Sequence, residues 1–316
     1  MSSKETARVI FAGTPDFAVP TLERLIEADV EVTCVLTQPD RPAGRGRKLT
    51  QSPVKEVAVG RAIPVLQPTI IDDAFRSLLA GPPPDLLVVV AYGLILPQWL
   101  LDWPLIAPVN VHASLLPRWR GAAPIQHAIL AGDESTGVSI MRMTRGVDCG
   151  PVYAQQSVAV GPTETAGELH DRLAVAGASL LLDVLPQILE GEEPVPQDES
   201  AARHAPKIEK ADAVLDWSRP AVELERRVRA FNPWPVAETR IAGGERLRIW
   251  GAVALEGHAD EAAGSVVSVT ADGIHVATAE GLLCLTRVQP PGGRVMSARA
   301  YLAAHELGGA RFVGTR

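Results

Sequence analysis

The sequence lacks the features of membrane, disulfide-stabilised and metal-binding proteins. Its three cysteines, Cys34, Cys149 and Cys284, lie far apart, which suits neither a disulfide framework nor a zinc site. No apolar run approaches the roughly 20 residues that a transmembrane helix needs. The polar N-terminus, residues 1–8, has no signal-peptide core. We therefore expect a cytoplasmic protein that binds no metal and has no membrane contact.

The glycine-rich loops that bind nucleotides are also missing. A dinucleotide-binding domain carries Gly-x-Gly-x-x-Gly after its first strand, whereas residues 13–17 read Gly-Thr-Pro-Asp-Phe. Asp16 would repel a pyrophosphate, and no Walker loop occurs in the chain. These absences disfavour an NAD-dependent dehydrogenase.

What the sequence does contain is enough apolar material for two domains. The chain has 316 residues, of which 47% are hydrophobic and 21% charged, as in ordinary globular proteins of about 100–200 residues per domain. The net charge of −7 argues against indiscriminate nucleic-acid binding, but residues 1–202 carry −9 and residues 203–316 carry +2. This asymmetry is compatible with a nucleic-acid partner held at selected places.

The first half of the chain alternates strands with helices. Such alternation predicts an α/β fold with an open, mostly parallel sheet covered by helices on both faces. Ligands of such sheets bind outside the carboxyl ends of the strands. The predicted strands are residues 8–13, 31–37, 63–66, 86–90, 109–112 and 138–143, and the predicted helices are 14–28 (with a kink or restart at Pro20), 54–61, 71–79 and 122–131.

The second half has a different pattern. A capping box at Thr165 and Glu168 predicts a long helix to about residue 189, followed by a Pro-, Gly- and Glu-rich stretch. A short helix over 222–230 precedes short alternating runs separated by glycines, at 245–250, 264–269, 273–278 and 282–288, which indicate a small antiparallel barrel or sandwich. We expect a first domain over 1–191, a linker over 192–211 and a second domain over 212–316.

Asn110 and His112 are the main candidates for chemistry. They lie two apart on a predicted strand, so both side chains leave the same face. The segment that follows, residues 113–121, has no helix or strand periodicity and must lie at the carboxyl edge of the sheet. An amide donor and an imidazole are thereby placed where small ligands bind. In the alternative interpretation, both side chains only bond the loop backbone.

Asp148 is the second candidate. Gly146 and Gly150 flank it and permit an unusual backbone path and a close approach of a ligand. An Asp beside a His can fix the orientation of the ring, and 36 residues suffice for a crossover between Asp148 and His112. The alternative is an Asp that bonds its own turn.

A long basic loop follows the second strand. Residues 38–49 contain Arg41, Arg45, Arg47 and Lys48 against one Asp. A phosphate backbone is a natural partner for such an arm, and a solvated surface loop is the alternative.

Seven segments in this order make the chain resemble the folate-dependent formyltransferases. They are residues 13–18 (Gly-Thr-Pro-Asp-Phe-Ala), 42–46 (Pro-Ala-Gly-Arg-Gly), 91–97 (Ala-Tyr-Gly-Leu-Ile-Leu-Pro), 110–117 (Asn-Val-His-Ala-Ser-Leu-Leu-Pro), 120–126 (Arg-Gly-Ala-Ala-Pro-Ile-Gln), 146–150 (Gly-Val-Asp-Cys-Gly) and 231–235 (Phe-Asn-Pro-Trp-Pro). The Asn-x-His and Ser-Leu-Leu-Pro elements are shared across that family. The basic loop and the second domain mark the members that act on methionyl initiator tRNA.

The resemblance implies a Rossmann-like N-terminal domain and an OB-fold-like C-terminal barrel that contacts tRNA. It implies transfer of a formyl group from 10-formyltetrahydrofolate to the α-amino group of methionyl initiator tRNA, without metal. Since nothing in the sequence suggests a large exposed apolar face, we expect a monomer. Asn110, His112 and Asp148 would be catalytic. The folate site would comprise Tyr92, Gly93, Ser114, Leu115, Leu116 and Pro117, and the tRNA contacts would be Arg41, Arg45, Arg47 and Lys48.

Three other functions compete with this one. A formyltransferase acting on glycinamide ribonucleotide would not need a second domain of about 100 residues. One acting on an amino sugar nucleotide or another small amine has less reason for the basic loop. A non-catalytic RNA-binding protein would explain the loop and the barrel, but not Asn110, His112 and Asp148.

Overall fold

The computed structural model describes residues 6–43, 46, 48–79, 81–258 and 260–314. The chain forms two compact units that do not follow chain order. The first comprises residues up to 121 with 135–159 and 170–205, and the second comprises 122–134, 160–169 and 206 onward. The expected domain boundaries at 191 and 212 therefore stay a prediction.

The strands and helices are numbered in chain order. The strands are β1 (Arg8–Gly13), β2 (Glu31–Leu36), β3 (Arg41–Ala43), β4 (Lys48–Thr50), β5 (Val65–Leu66), β6 (Leu86–Val90), β7 (Ala107–His112), β8 (Arg120–Gly121), β9 (Ser135–Arg142), β10 (Val152–Ala159), β11 (His204–Ala205), β12 (Ala237–Ile241), β13 (Arg246–Leu255), β14 (Val266–Val269), β15 (Ile274–Ala277), β16 (Leu282–Gln289), β17 (Met296–Ser297) and β18 (Phe312–Val313). The α-helices are α1 (Val19–Glu27), α2 (Pro53–Gly60), α3 (Asp73–Arg76), α4 (Gln98–Leu101), α5 (Pro124–Ala131), α6 (Ala166–Leu189), α7 (Ala221–Ala230) and α8 (Ala298–Leu302), and 3-10 helices occur at Asp16–Ala18, Glu199–Ala201 and Lys210–Ala213.

A seven-stranded sheet in the order β10-β9-β7-β6-β1-β2-β5 forms the first unit. The five strands from β7 to β5 are parallel, while β9 runs antiparallel to β7 and to β10. The chain leaves β1 toward β2 and β5, then returns to the other side of β1 for β6 and β7. This reversal opens a crevice at the carboxyl ends of β1 and β6, which is where such sheets bind ligands. The predicted Rossmann-like fold is confirmed.

The burial of the central strands follows from their composition. All five residues of β6 are at most 5% exposed, as expected for a parallel strand with helices on both faces. Each fully buried Leu or Val contributes roughly 1.5–3 kcal/mol. Helix α6 lies against this sheet, because a Cβ at Gly177 would meet the side chains of Val111 and Val138.

Helix α6 is also the one helix among the described residues whose length and apolar composition would allow it to cross a membrane. Its residues Leu173, Leu181 and Ile188 are fully buried within the protein. The core helix of a globular protein passes the same test of length and composition.

The second unit contains an antiparallel sheet in the order β14-β15-β16-β13-β12-β18, with β17 paired to β16. The sheet curls into a half-barrel, as expected for an OB-fold-like domain. Its core includes Trp217, Ile249, Leu285 and Phe312, and the ring of Trp217 stacks on that of Phe312 at 5.7 Å.

Several predicted elements differ in extent from the observed ones. The helix expected over 14–28 is split, because α1 begins at Val19 with Pro20 in its first turn, a position that needs no amide hydrogen. The helix expected over 71–79 begins only at Asp73, because the Asp72 side chain caps it by accepting from Phe75 N at 2.9 Å. It ends at Arg76, after which Leu78 N and Leu79 N bond the carbonyls three residues before them. The pairs β3–β4 and β9–β10 each contain strands that the sequence patterns did not indicate.

Candidate active site

The carboxyl end of β7 presents Asn110 and His112 on the same face. Asn110 is 9% exposed and His112 is 6% exposed, and both are held in register with neighbouring strands, Asn110 opposite Val89 of β6 and His112 opposite Ser139 of β9. Within the described part of the chain, the side-chain amide of Asn110 makes no hydrogen bond. A side-chain amide that bonds no protein group can donate to a ligand at this strand end.

The imidazole of His112 is held between two acceptors. Its Nε2 lies 3.0 Å from the carbonyl oxygen of Trp119, so Nε2 donates. Its Nδ1 lies 3.6 Å from Oδ2 of Asp148, a separation too long for a hydrogen bond but within reach of electrostatic attraction. The structure thus brings together the two residues that the sequence could not place in contact.

Asp148 reaches His112 through an unusual backbone conformation. Its φ of +50° lies in the left-handed region, which costs a non-glycine residue about 1–2 kcal/mol. Oδ2 accepts from the backbone N of Gly121 at 2.9 Å. At Gly150 a Cβ would collide with the carbonyl oxygen of Arg142, so only glycine fits where this loop, on its way to β10, packs against the end of β9.

Arg120, which precedes Gly121, is 4% exposed. Its guanidinium donates to both carboxylate oxygens of Glu199 at 2.8 Å, and this hydrogen bonding lowers the pKa of the Glu199 carboxyl. Its side chain also bonds Gln197. None of these residues stood out in the sequence apart from the Arg-Gly motif.

The segment predicted to line a folate site, residues 114–117, is pinned by side chains from β9 and β10. The Ser139 hydroxyl donates to the carbonyl of Ser114 at 2.6 Å and accepts from Leu116 N at 3.1 Å. Gln155 donates to the carbonyl of Leu116 at 2.8 Å. Ser114 and Leu116 are buried, whereas Leu115 and Pro117 are half-buried and are the members of the segment with the larger exposed surface.

The carbonyl oxygen of Tyr92, which follows β6, is hydrogen-bonded by residues that follow β1 and β2. It accepts from the Thr14 hydroxyl at 3.0 Å and from Gln38 Nε2 at 3.1 Å. The Tyr92 side chain is 2% exposed and packs in the core, and burial raises the pKa of its hydroxyl. Gly93 has a φ of +81°, and a Cβ there would approach Gln38 Nε2 to 2.5 Å. Through these contacts Tyr92 and Gly93 shape the crevice with their backbone.

The basic loop begins as a hairpin, β3 paired with β4. Arg41 and Lys48 are exposed, while Arg45 and Arg47 lie outside the described residues. Arg41 donates to Gln38 Oε1 at 2.6 Å, which connects the hairpin to the crevice. Asp40 is bonded by Lys55 and Gln67, and the Lys55 hydrogen bond lowers the pKa of the Asp40 carboxyl.

Comparison with known proteins identifies the family of this chain. Residues 7–185 match the family model described as formyl transferase, and residues 207–306 match the formyl transferase C-terminal domain. A methionyl-tRNA formyltransferase of Nitrosococcus oceani is 53% identical over 95% of this chain and 93% of its own length. Another, from Methylococcus capsulatus, is 52% identical over 96% of this chain and 99% of its own. The chain belongs to the formyl transferase family.

Solved structures show the same fold for this formyl transferase. An N-formyltransferase from Helicobacter canadensis, in complex with folinic acid and dTDP-3-aminofucose, superimposes with a TM-score of 0.66. The match covers 89% of this chain and 98% of that one at 15% identity. At such low identity the similarity establishes the architecture and leaves the acceptor substrate undecided.

The sequence did not point to several residues of this formyl transferase that shape the site. Gln38, Gln155 and Gln197 all act on backbone carbonyls, and a lone glutamine carries no pattern that would mark such a role. Ser139 alone had a signal, because it is a polar residue inside the predicted apolar strand 138–143.

Proposed function

We propose that this protein transfers the formyl group of 10-formyltetrahydrofolate to the α-amino group of methionyl initiator tRNA, giving formylmethionyl-tRNA. The observation that carries this proposal is the 52–53% identity to methionyl-tRNA formyltransferases over nearly the full length of both chains. That identity covers both matched domains. The site geometry supports it independently, because it combines an open amide donor with a His–Asp pair.

The residues present fit the formyl donor. The Asn110 amide is available to donate to the formyl oxygen, and the crevice at the ends of β1 and β6 is built from the Tyr92 carbonyl and the side-chain-free Gly93. Leu115 and Pro117 would contact the folate, and Ser114 and Leu116 would hold their segment in place. The folate supplies the formyl carbon; the amine nitrogen bonds to that carbon, the bond from carbon to the folate nitrogen breaks, and the proton lost by the amine balances the one gained by that nitrogen.

Asn110 is the donor best placed for the negative charge that develops on the formyl oxygen. Preorganised donors facing such charge are usually the largest single contribution to catalysis. Both nitrogens of His112 already face protein acceptors, whereas the Asn110 amide is open. We therefore assign stabilisation of the oxyanion to Asn110, and we assign transfer of the amine proton to His112 and Asp148.

His112 and Asp148 form the proton-handling pair in this proposal. The ammonium first releases one proton to solvent, which leaves the amine that attacks. The second proton, which the nitrogen loses as it bonds to the formyl carbon, can be accepted by the carboxylate beside the imidazole and passed to the folate nitrogen. Only Oδ2 of Asp148 is engaged, by Gly121 N; Oδ1 accepts no hydrogen bond from the residues that the structure describes. That oxygen is available to orient the amine.

We further propose that tRNA contacts two basic surfaces. The first is the basic loop over residues 38–49, whose sequence carries Arg41, Arg45, Arg47 and Lys48. The second, which we call the basic–aromatic groove, belongs to the domain proposed for residues 212–316 and the end of its linker. It encloses about 550 Å³ and is lined by Lys210, Trp234, Arg246, Arg248 and Trp250, among others.

Strand alternation creates the basic–aromatic groove. Along β13, Leu247 and Ile249 face the core, so Arg246, Arg248 and Trp250 face outward together. Arg248 has a buried Nε that no described residue accepts from, and Trp234 is 49% exposed. Arg246 pairs with Glu238, which also lines the groove, at 3.3 Å. The Arg248 guanidinium and the exposed ring of Trp234 suit phosphate contacts and base stacking.

We expect Arg248→Ala to raise KM for methionyl-tRNA by about three- to tenfold, since it removes roughly one phosphate contact. The slope of log KM against log salt concentration should fall by about 1. The KM for the formyl donor should not change. Steady-state kinetics over a salt series measure all three quantities.

Arg299→Ala is the matched control for this variant, because Arg299 is an exposed arginine of the same unit that does not line the groove. It should leave KM and its salt dependence at wild-type values. If both arginine variants behave alike, the groove has no specific role in tRNA binding.

The decisive experiment for the reaction itself is transfer of labelled formyl from 10-formyltetrahydrofolate to three acceptors. They are methionyl initiator tRNA, glycinamide ribonucleotide and an amino sugar nucleotide. We expect transfer to the tRNA alone. Preferential labelling of either small acceptor would replace the proposed substrate, and tRNA binding without transfer would favour a non-catalytic RNA-binding protein.

We also propose that the protein acts as a monomer in the cytoplasm. The free cysteines Cys34, Cys149 and Cys284 are consistent with a reducing compartment. Analytical sedimentation at micromolar protein concentration tests whether the protein is a monomer.

A further inference from the structure

The segment after α6, which the sequence marks only as a linker, holds the loop that carries Asp148. Gln197 Nε2 donates to the carbonyl oxygen of Asp148 at 2.9 Å and to that of Gly150 at 2.6 Å. The side-chain amide of Gln197 therefore holds the backbone on both sides of Cys149. Gln197 is far in sequence from both, 49 residues from Asp148 and 47 from Gly150.

Arg120 fixes the orientation of the Gln197 amide. Oε1 of Gln197 accepts from Nε and Nη2 of Arg120 at 3.0 and 2.8 Å. Arg120 is 4% exposed and bidentate with Glu199, so its guanidinium has little freedom to turn. Because a guanidinium only donates, Oε1 must face it and Nε2 must face the two carbonyls.

Asp148 needs this support because its own backbone conformation is unfavourable. With a φ of +50°, it sits in a region that persists only where surrounding contacts hold it. Its carboxylate is held by Gly121 N, the residue after Arg120. Its main chain is held by Gln197, the partner of Arg120. The buried Arg120 is thus connected to both contacts, because it bonds Gln197 and directly precedes Gly121 in the chain.

We propose that Gln197 is a positioning residue for formyl transfer, which sets the approach of Asp148 to His112 by fixing the backbone of residues 148–150. This inference rests on the proposed function, because it assumes that Asp148 takes part in the reaction. Gln197 itself touches neither reacting group. Its effect on rate passes through the 3.6 Å separation between Asp148 and His112, and displacements of about 1 Å in such constellations can cost up to about 100-fold in rate.

Two variants separate positioning from structural packing. Gln197→Glu keeps the shape and still accepts from Arg120, but it cannot donate to the two carbonyls. Gln197→Ala removes both sets of contacts. We expect each to lower kcat by about 10- to 100-fold, with KM for tRNA and for the formyl donor within about twofold of wild type. Gln156→Ala, an exposed glutamine on β10 of the same unit, should behave as wild type.

A double-mutant cycle with Asp148→Ala provides the test that packing alone would not satisfy. In the Asp148→Ala background, Gln197→Glu should change kcat by less than about twofold, because the group that it positions is gone. Circular dichroism melting of each variant checks that it is folded. Because the cycle uses Gln197→Glu, its result does not depend on whether Gln197→Ala folds.

Each outcome of this cycle has a distinct meaning. Multiplicative losses in the double variant would overturn the inference, since Gln197 would then act on something other than Asp148. Wild-type kcat in Gln197→Glu together with an impaired Asp148→Ala would overturn the inference and leave the proposed function intact. A fully active Asp148→Ala would remove Asp148 from the proposed mechanism, and the positioning role would fall with it.

Discussion

Asn110→Ala is expected to lower kcat for formyl transfer by about 10²- to 10³-fold, the usual cost of removing one preorganised oxyanion donor. The physical reason is the open amide: Asn110 is 9% exposed on the face it shares with His112, and its amide makes no hydrogen bond with any described residue. Because the donor acts on charge that develops during the reaction, KM for either substrate should change little.

The same observation predicts that Asn110→Ala costs little stability. The substitution leaves no protein group without its hydrogen-bond partner, so the free energy of unfolding should change by no more than about 1 kcal/mol. Chemical denaturation of the two proteins measures it. A variant that loses activity and keeps its stability is one whose lost side chain served a ligand.

Asn110→Asp is the sharper companion variant. It keeps size and shape but replaces the amide donor with a carboxylate that repels a developing oxyanion, so its kcat should be at or below that of Asn110→Ala. If either variant retained kcat within threefold of wild type, Asn110 would not be the oxyanion donor. His112 would then be the next donor to test.

The sheet that carries the site could be predicted from local sequence because its central strands are continuous apolar runs. Strands at 8–13 and 86–90 were predicted and observed with the same bounds, since burial on both faces removes any tolerance for polar residues. The placement of Asn110 and His112 at a carboxyl end followed from the period of two along a strand and from the parallel topology. These are local rules.

Other elements escaped prediction for physical reasons. Strand β10 has three consecutive exposed polar residues, Gln155, Gln156 and Ser157, and as the edge of the sheet it needs no alternating pattern. The hairpin β3–β4 is basic and contains Pro42, which strands tolerate only at edges.

The contact between His112 and Asp148 could not be predicted from the sequence, for a different physical reason. It depends on donors from Gly121 and Gln197, which lie 27 and 49 residues from Asp148. Gly121 belongs to the segment 120–126 that carries the family resemblance, whereas Gln197 belongs to no motif. Sequence alone permitted the contact without requiring it. Tertiary hydrogen bonds to backbone carbonyls decide where the loop lies, and such bonds impose almost no constraint on residue type at the carbonyl end.

His112→Ala is expected to lower kcat by about 10²- to 10⁴-fold, the range in which positioned acid–base groups contribute. It should also destabilise the protein by about 1–3 kcal/mol, because the carbonyl of Trp119 loses the donor 3.0 Å away. This expected loss of stability distinguishes His112→Ala from Asn110→Ala. His258→Ala is the control for loss of an imidazole, since that side chain is 85% exposed, and it should match wild type.

Asp148→Asn tests whether the two residues act as one unit. An asparagine can still accept from Gly121 N through its side-chain oxygen, so the loop should stay in place while the negative charge beside His112 Nδ1 is lost. We expect a fall in kcat comparable to that of His112→Ala, with unchanged KM. In the double variant the loss should be no greater than in His112→Ala alone, because groups that act together are not additive. Losses that multiply would mean that the carboxylate and the imidazole contribute to the rate independently and do not form one proton-handling pair.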